Sequence, residues 1–229
     1  MTQQRKSGGK SKARALGDGQ GARCDPRFSP LLNQFRSVDL DRNPDTVYGL
    51  WPDLTLSYLN RAWFNFAAAN GGEPAISDRW GLGTPVADAW PECLRTWYRD
   101  FMAAAFATGG KRPAQHEYEC SSSELRRRFV MSVYSLAGPS GDGLLVVNSP
   151  LIEAPWTALG TKAMPPVSPS YVDAAGLMHQ CVHCRRIRTI GNPAEWHWVP
   201  EWVAHAQPNV SHVLCDLCLE HYYPTRGRA

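Results

Sequence analysis

Residues 46–63 read TVYGLWPDLTLSYLNRAW. Thr46 to Trp51 suits a strand and Pro52-Asp53 a turn. Leu54, Leu56 and Tyr58 then alternate with Thr55 and Ser57, so the stretch predicts a hairpin whose second strand is half-buried. Asn60 is a helix-capping residue type placed just before Trp63, Phe64, Phe66 and Ala67. A helix running to Ala69 would turn those four toward a core, and Asn70-Gly71-Gly72 supplies its stop. The local order is strand, strand, helix.

Downstream, Trp90, Leu94, Trp97, Tyr98 and Phe101 fall at helical spacing, which predicts a longer amphipathic helix over 88–107 with Asp88 as cap and Gly109-Gly110 as stop. His116, Tyr118 and Cys120 then share one strand face, opposite Gln115, Glu117 and Glu119. Arg128 to Leu136 and Gly143 to Asn148 supply two more strands. Two opening strands, intervening helices and three closing strands make an α+β unit: one five-stranded antiparallel sheet with helices on one face. With these residues in view, 46–63 resembles the opening of a PAS domain, where a hairpin leads into an Asn-started helix. RFVMSVYSL from Arg128 and LLVVN from Leu144 resemble its closing hairpin. The resemblance covers 28–153 and implies a sensory domain with a cavity between sheet and helices for a small ligand, whose identity is unknown.

Working outward, residues 1–23 carry Arg5, Lys6, Lys10, Lys12, Arg14 and Arg23 against Asp18, more than the whole chain's net charge of +3, so the remainder is net negative. Gly, Ser, Lys and Gln dominate Ser7 to Gly21 without hydrophobic period, and residues 1–27 are expected to form a disordered basic tail. Pro155, Gly160, Pro165, Pro166 and Pro169 mark 154–177 as a linker, and a second compact unit is expected over 178–229. Hydrophobic residues make up 43% of the 229 and charged residues 20%, enough for a real core. No apolar run reaches the roughly 18–20 residues of a membrane span, so the expectation is a cytoplasmic protein with no membrane partner.

The seven cysteines fit metal ligation better than disulfides in such a compartment. Cys181-Val-His-Cys184 and Cys215-Asp-Leu-Cys218 are two C-x2-C pairs separated by 30 residues. Each pair lets two thiolates reach one ion at about 2.3 Å, and two pairs close a tetrahedron around Zn²⁺ with no position for water. The expected site is therefore structural, with Cys181, Cys184, Cys215 and Cys218 as ligands. A module this small buries too little surface to fold without the metal. Trp196, Trp198, Trp202, Leu214, Leu217 and Tyr222 are expected to cluster beside it, and a short helix suits Pro200 to Gln207. The segments CVHCRRIR, WHWVPEW and SHVLCDLCLEHYYP resemble a cysteine-paired module found beside PAS or receiver domains in bacterial signalling proteins, which implies regulation rather than turnover.

Other groups carry weaker signals. His183 and His212 flank the cysteines and could replace one as ligand, and the two pairs could cycle as dithiols. Cys93, His116 and Cys120 could hold a cofactor, although each is more ordinary as a structural residue. The cysteine motif of photosensory relatives is absent, and the 88–107 helix offers no His for haem. No nucleophile elbow, phosphate loop, zincin helix or dinucleotide fingerprint occurs. The main reading is a non-enzymatic sensor or adaptor that acts through a signalling protein partner or a homo-oligomer. The alternative is a zinc-ribbon regulator that binds nucleic acid through Arg185, Arg186 and Arg188. Acidic residues nearly balance the arginines of 181–229, so the strongly basic footprint of such a regulator is missing.

Overall fold

The computed structural model describes residues 21–35, 37–110, 112–138 and 141–224. The tail expected over 1–27 lies outside this set up to position 20, but its last part is folded. Strand β1 (Arg23–Cys24) pairs antiparallel with Leu59 and Tyr58, and the Asp25 amide donates to the Ser57 carbonyl at 2.8 Å. The folded unit thus starts before Phe28, because a two-residue strand carries too little pattern to be read in sequence.

A 3-10 turn over Ser29–Gln34 and helix α1 (Ser37–Arg42) lead to the hairpin of β2 (Thr46–Leu50) and β3 (Leu56–Leu59), followed by α2 (Arg61–Ala69). Asn60 caps α2 and is 0% exposed. Its Oδ1 accepts from the amides of Val47 at 3.0 Å and Trp63 at 3.1 Å, and its Nδ2 donates to the carbonyls of Asp45 at 2.9 Å and Leu40 at 3.3 Å. One side chain therefore ties α1, β2 and α2 together.

Helix α3 (Ala75–Arg79) and a 3-10 turn over Val86–Ala89 precede α4 (Glu92–Ala107). Asp88 does not cap α4. Pro91 disfavours helical backbone at Trp90, whose ψ is 138°, so the 3-10 turn and α4 are separate elements. Leu94, Tyr98, Met102 and Ala105 form the buried stripe of α4. Strands β4 (Ala114–Glu119), β5 (Leu125–Gly138) and β6 (Gly141–Pro155) complete a sheet of six strands rather than five, in the order β1-β3-β2-β6-β5-β4. All its pairings are antiparallel. The β5–β6 hairpin runs past the apolar core into a charged extension where Arg127 pairs with Glu153 at 2.6 Å. It is longer than expected because its outer part carries no hydrophobic alternation.

Helices do not cover one face only. Tyr48, Met131, Val133, Leu144 and Val146 pack with α2 and α4, while Val47, Tyr58, Leu136 and Leu145 turn to the other face and meet Phe28, Leu31, Leu32 and Leu40. This explains why all four residues of β3 are buried rather than alternate ones. Phe28 is 0% exposed, and its complete burial is worth about 2–3 kcal/mol. Its ring fits because β2 and β6 carry glycine beneath it: a Cβ at Gly49 would lie 2.5 Å from Phe28 Cε1, and one at Gly143 2.6 Å from Cε2.

The second unit holds β7 (Met178–Cys181), β8 (Ile187–Arg188), β9 (Trp196–His197), α5 (Pro200–Ala204), β10 (Val210–Val213) and α6 (Asp216–Tyr222). Its sheet order is β10-β7-β8-β9, with β10 parallel to β7 and the other pairs antiparallel. The segment expected as a linker belongs to the fold. Trp156 is buried, donates Nε1–H to the Ser122 carbonyl at 2.9 Å, and packs on Trp198 with ring centroids 4.1 Å apart. Tyr171 enters a core with Met178, Ile187, Val199 and Trp202. Single aromatics anchor this Pro/Ser-rich stretch where composition alone reads as a spacer.

Candidate metal centre and apolar cavity

The parallel pairing of β7 and β10 solves the problem of the 30-residue separation. Val213 sits opposite Cys181, so each strand delivers one C-x2-C turn at the same end of the sheet. Cys181, Cys184, Cys215 and Cys218 are all buried, and their Sγ atoms lie within 4.8 Å of one another. The Cys184 and Cys215 sulfurs are 3.8 Å apart, too far for a disulfide at about 2.05 Å. The Cys215 amide donates to Cys181 Sγ at 3.4 Å, which favours a thiolate there. Hydrogen bonds from Cys184, Cys215 and Cys218 hold the Cys181 thiol far below its ordinary value, and the same interactions push Cys184 and Cys218 up. Four sulfurs this close can all ionise only around a cation. The cluster could hold a metal ion, and among the described residues it is the group of three or more His, Cys, Asp or Glu side chains close enough to do so.

A second feature lies in the first unit. A cavity of about 480 Å³ is walled by Tyr48, Trp63, Phe66, Trp90, Tyr98 and Phe129, with aliphatic groups between them. Among the described residues, no Asp, Glu, Lys, Arg or His lines it. Its polar groups include Tyr118 and Asn148, and the Tyr118 hydroxyl donates to Asn148 Oδ1 at 3.0 Å. Burial raises the Tyr48 and Tyr118 phenols well above their ordinary value, so both stay neutral.

No protein-family model matches this chain, and no curated protein matches it. Among solved structures it is similar to a domain of HTR-like protein from Haloarcula marismortui ATCC 43049, at 14% identity and a TM-score of 0.33, over 48% of this chain and 100% of that one. It is also similar to the PAS domain of HTR-like protein from Haloarcula marismortui, at 14% identity and a TM-score of 0.31, over 50% of this chain and 92% of that one.

The two units meet in one continuous core. Tyr222 of α6 is 4% exposed and belongs to the apolar cluster of the first unit, with Val182 and Leu214 packed against it. Its hydroxyl lies 2.9 Å from His183 Nδ1 and 3.4 Å from the Tyr98 hydroxyl. His221 Nε2–H donates to the Glu117 carbonyl of β4 at 2.8 Å. His183 is thus engaged by Tyr222, and His212 is exposed on β10; neither joins the thiol cluster. Leu217, expected beside the metal, is 75% exposed, because it lies on the opposite side of α6 from Cys218 and Tyr222. Trp196 and Leu214 do pack against the cysteines. Cys93 is exposed on α4, and Cys120 lines the cavity. No sequence signal pointed to Tyr222 as a core residue of the first unit, since its partners lie more than 100 positions away.

His116 is 9% exposed between Trp97, Phe101, His221 and Tyr222, and its buried Nε2 has no hydrogen-bond partner among the described residues. Burial, with His221 and His183 close by, lowers its pKa to about 3. The folded chain keeps the ring neutral, whereas the unfolded chain protonates it near 6.5. Its stability contribution is therefore complete above about pH 6.5 and is lost as pH falls toward 3. Replacing His116 with Phe should remove this dependence. Between pH 7 and 5 the variant is expected to lose about 1 kcal/mol less than the parent, allowing for solvent screening. Urea titrations at the two pH values measure it, and parallel losses would refute it.

Proposed function

We propose that this chain is a non-enzymatic sensory protein. A PAS-like unit takes a neutral, planar aromatic compound in its cavity, and a structural zinc module supports binding to a signalling partner or a second copy. The observation that carries this reading is the uncharged, aromatic-walled cavity of about 480 Å³, a size suited to a small organic ligand. An ionic ligand would lose its hydration there without a counter-charge, while Tyr118 and Asn148 offer one hydrogen-bonding position. The neutral fluorophore N-phenyl-1-naphthylamine is a direct probe. Ala89 and Cys120 are exposed positions that line the cavity. Ala89→Trp and Cys120→Trp should each weaken the probe about tenfold while leaving the melting transition in place. Unchanged affinity in both would end the cavity reading.

The Cys184–Cys215 sulfur separation of 3.8 Å supports zinc. It equals the edge of a tetrahedron with metal–sulfur bonds of about 2.3 Å. The ligands would be Cys181, Cys184, Cys215 and Cys218, with no open position, so the ion would hold structure rather than activate water. Free thiols fit a reducing cytoplasmic setting, and no helix among the described residues is long and apolar enough to cross a membrane. Leu217 and Leu219 on α6, and Tyr223 just after it, are exposed apolar side chains available to a protein partner. For nucleic acid the charge is near balance rather than strongly basic: Arg186 lines a groove with Arg126 and Arg128, which pair with Glu119 and Glu117 of the same lining. With residues 1–20 deleted, the chain should show no sub-micromolar binding to mixed DNA or RNA at physiological salt. Binding that disappears when Arg185, Arg186 and Arg188 become Ala would favour the nucleic-acid reading instead.

A further inference from the structure

The proposed cavity and the thiol cluster are connected by a short run of contacts. Cys218 and Tyr222 stand one turn apart on the buried side of α6. The Tyr222 hydroxyl lies 3.4 Å from that of Tyr98, and Tyr98 stacks on Trp90 with ring centroids 5.2 Å apart. Tyr98 and Trp90 are both walls of the cavity. A second contact runs through the sheet edge. His221 holds the Glu117 carbonyl of β4, and the next residue, Tyr118, is the cavity group bonded to Asn148. Helix α6 thus backs two cavity walls, one on α4 and one on β4.

Seven residues are too few for a helix to persist alone in water. Docking at both ends fixes α6: Cys215 and Cys218 enter the thiol cluster at its start, and His221 and Tyr222 hold the first unit at its end. We propose that metal occupancy at the four cysteines controls ligand affinity in the cavity, with Tyr222 as the coupling residue. When the ion leaves, α6 is released, Tyr222 withdraws from Tyr98, and β4 loses the His221 bond at its edge. Both walls then sample other positions, and the ligand meets a less formed site. By linkage, the factor by which metal tightens the ligand is the factor by which ligand tightens the metal.

This inference rests on the cavity reading, and the experiment separates the two. Full-length chain is titrated with N-phenyl-1-naphthylamine in zinc-loaded and chelator-stripped form under reducing conditions, and amide hydrogen exchange is recorded for both. Stripping is expected to weaken the probe at least fivefold, and probe saturation to tighten zinc by the same factor. Exchange should rise in 91–98 and 114–119 while β2 and β6 stay protected. Tyr222→Ala should retain zinc and bring the factor close to one, and Tyr222→Phe, which keeps the ring, should reduce it. Equal probe affinity in loaded and stripped protein overturns the coupling and leaves the cavity reading intact. Failure of the probe to bind either form overturns the cavity reading and the control of affinity with it, while exchange still rising in 91–98 and 114–119 would show that the cysteines nonetheless order α4 and β4 through α6. Exchange changes confined to 178–224, or loss of protection throughout β2 and β6, overturn the coupling whether or not the probe binds.

Discussion

Protein purified without chelators is expected to carry one zinc per chain, and the double variant Cys181→Ser with Cys215→Ser to carry none. A serine hydroxyl is a poor partner for a thiophilic ion, and the double change removes one ligand from each C-x2-C turn. The consequence reaches well beyond metal content. Cys181 ends β7, Cys215 stands at the N-cap of α6, and the cysteine cluster is itself one of the apolar cores of the second unit. Zinc in modules of this kind contributes on the order of 10 kcal/mol of apparent folding free energy, comparable with a domain's entire margin of about 5–15 kcal/mol. The second unit should therefore unfold on stripping, seen as loss of exchange protection over 178–224. Cys24, Cys93 and Cys120 lie outside the cluster, so their serine variants should retain the ion. A zinc content near zero in the parent protein, or full retention in the double variant, would refute the site.

The second large effect is expected at Asn60. Asn60→Ala leaves the buried amide of Val47 and the carbonyls of Asp45 and Leu40 without their side-chain partner and removes the α2 cap. A lost cap costs about 1 kcal/mol, and each buried group left unsatisfied costs about 1–3 kcal/mol. A loss of about 3–5 kcal/mol is expected by urea denaturation. Asn60→Asp keeps the two acceptor bonds but cannot donate to the two carbonyls, so it should fall between parent and alanine variant. An alanine variant within about 1 kcal/mol of the parent would show that these backbone groups find other partners.

Asn60 also shows what could be read before any coordinates. A capping residue followed by a helical apolar pattern is a local signal, and so is a pair of cysteines two residues apart; both led to the residues found at those places. Parallel pairing of β7 with β10 has no such local mark, because nothing in Met178–Cys181 or Val210–Val213 names its partner strand. Trp156 and Tyr171 each stand alone among prolines and serines, and their burial depends on Trp198 and Trp202, some 30 to 40 positions later. The cavity draws its walls from residues spread between Thr46 and Asn148, and short local runs such as Phe66-Ala67 and Ala89-Trp90-Pro91 do not show that they meet. Pattern within a dozen residues was legible, and contact across a hundred was not.

The distance between Tyr98 and Tyr222 has a consequence for how the chain is made. The two are 124 positions apart in sequence. At a synthesis rate of about 5–20 residues per second, α4 waits roughly 6–25 s for the aromatic ring that completes its packing. During that interval Trp97 and His116 stand without the aromatic neighbour that later covers them, exposed to whatever apolar surface the cell presents. Chaperone occupancy on nascent chains should peak after α4 emerges and fall once α6 has followed.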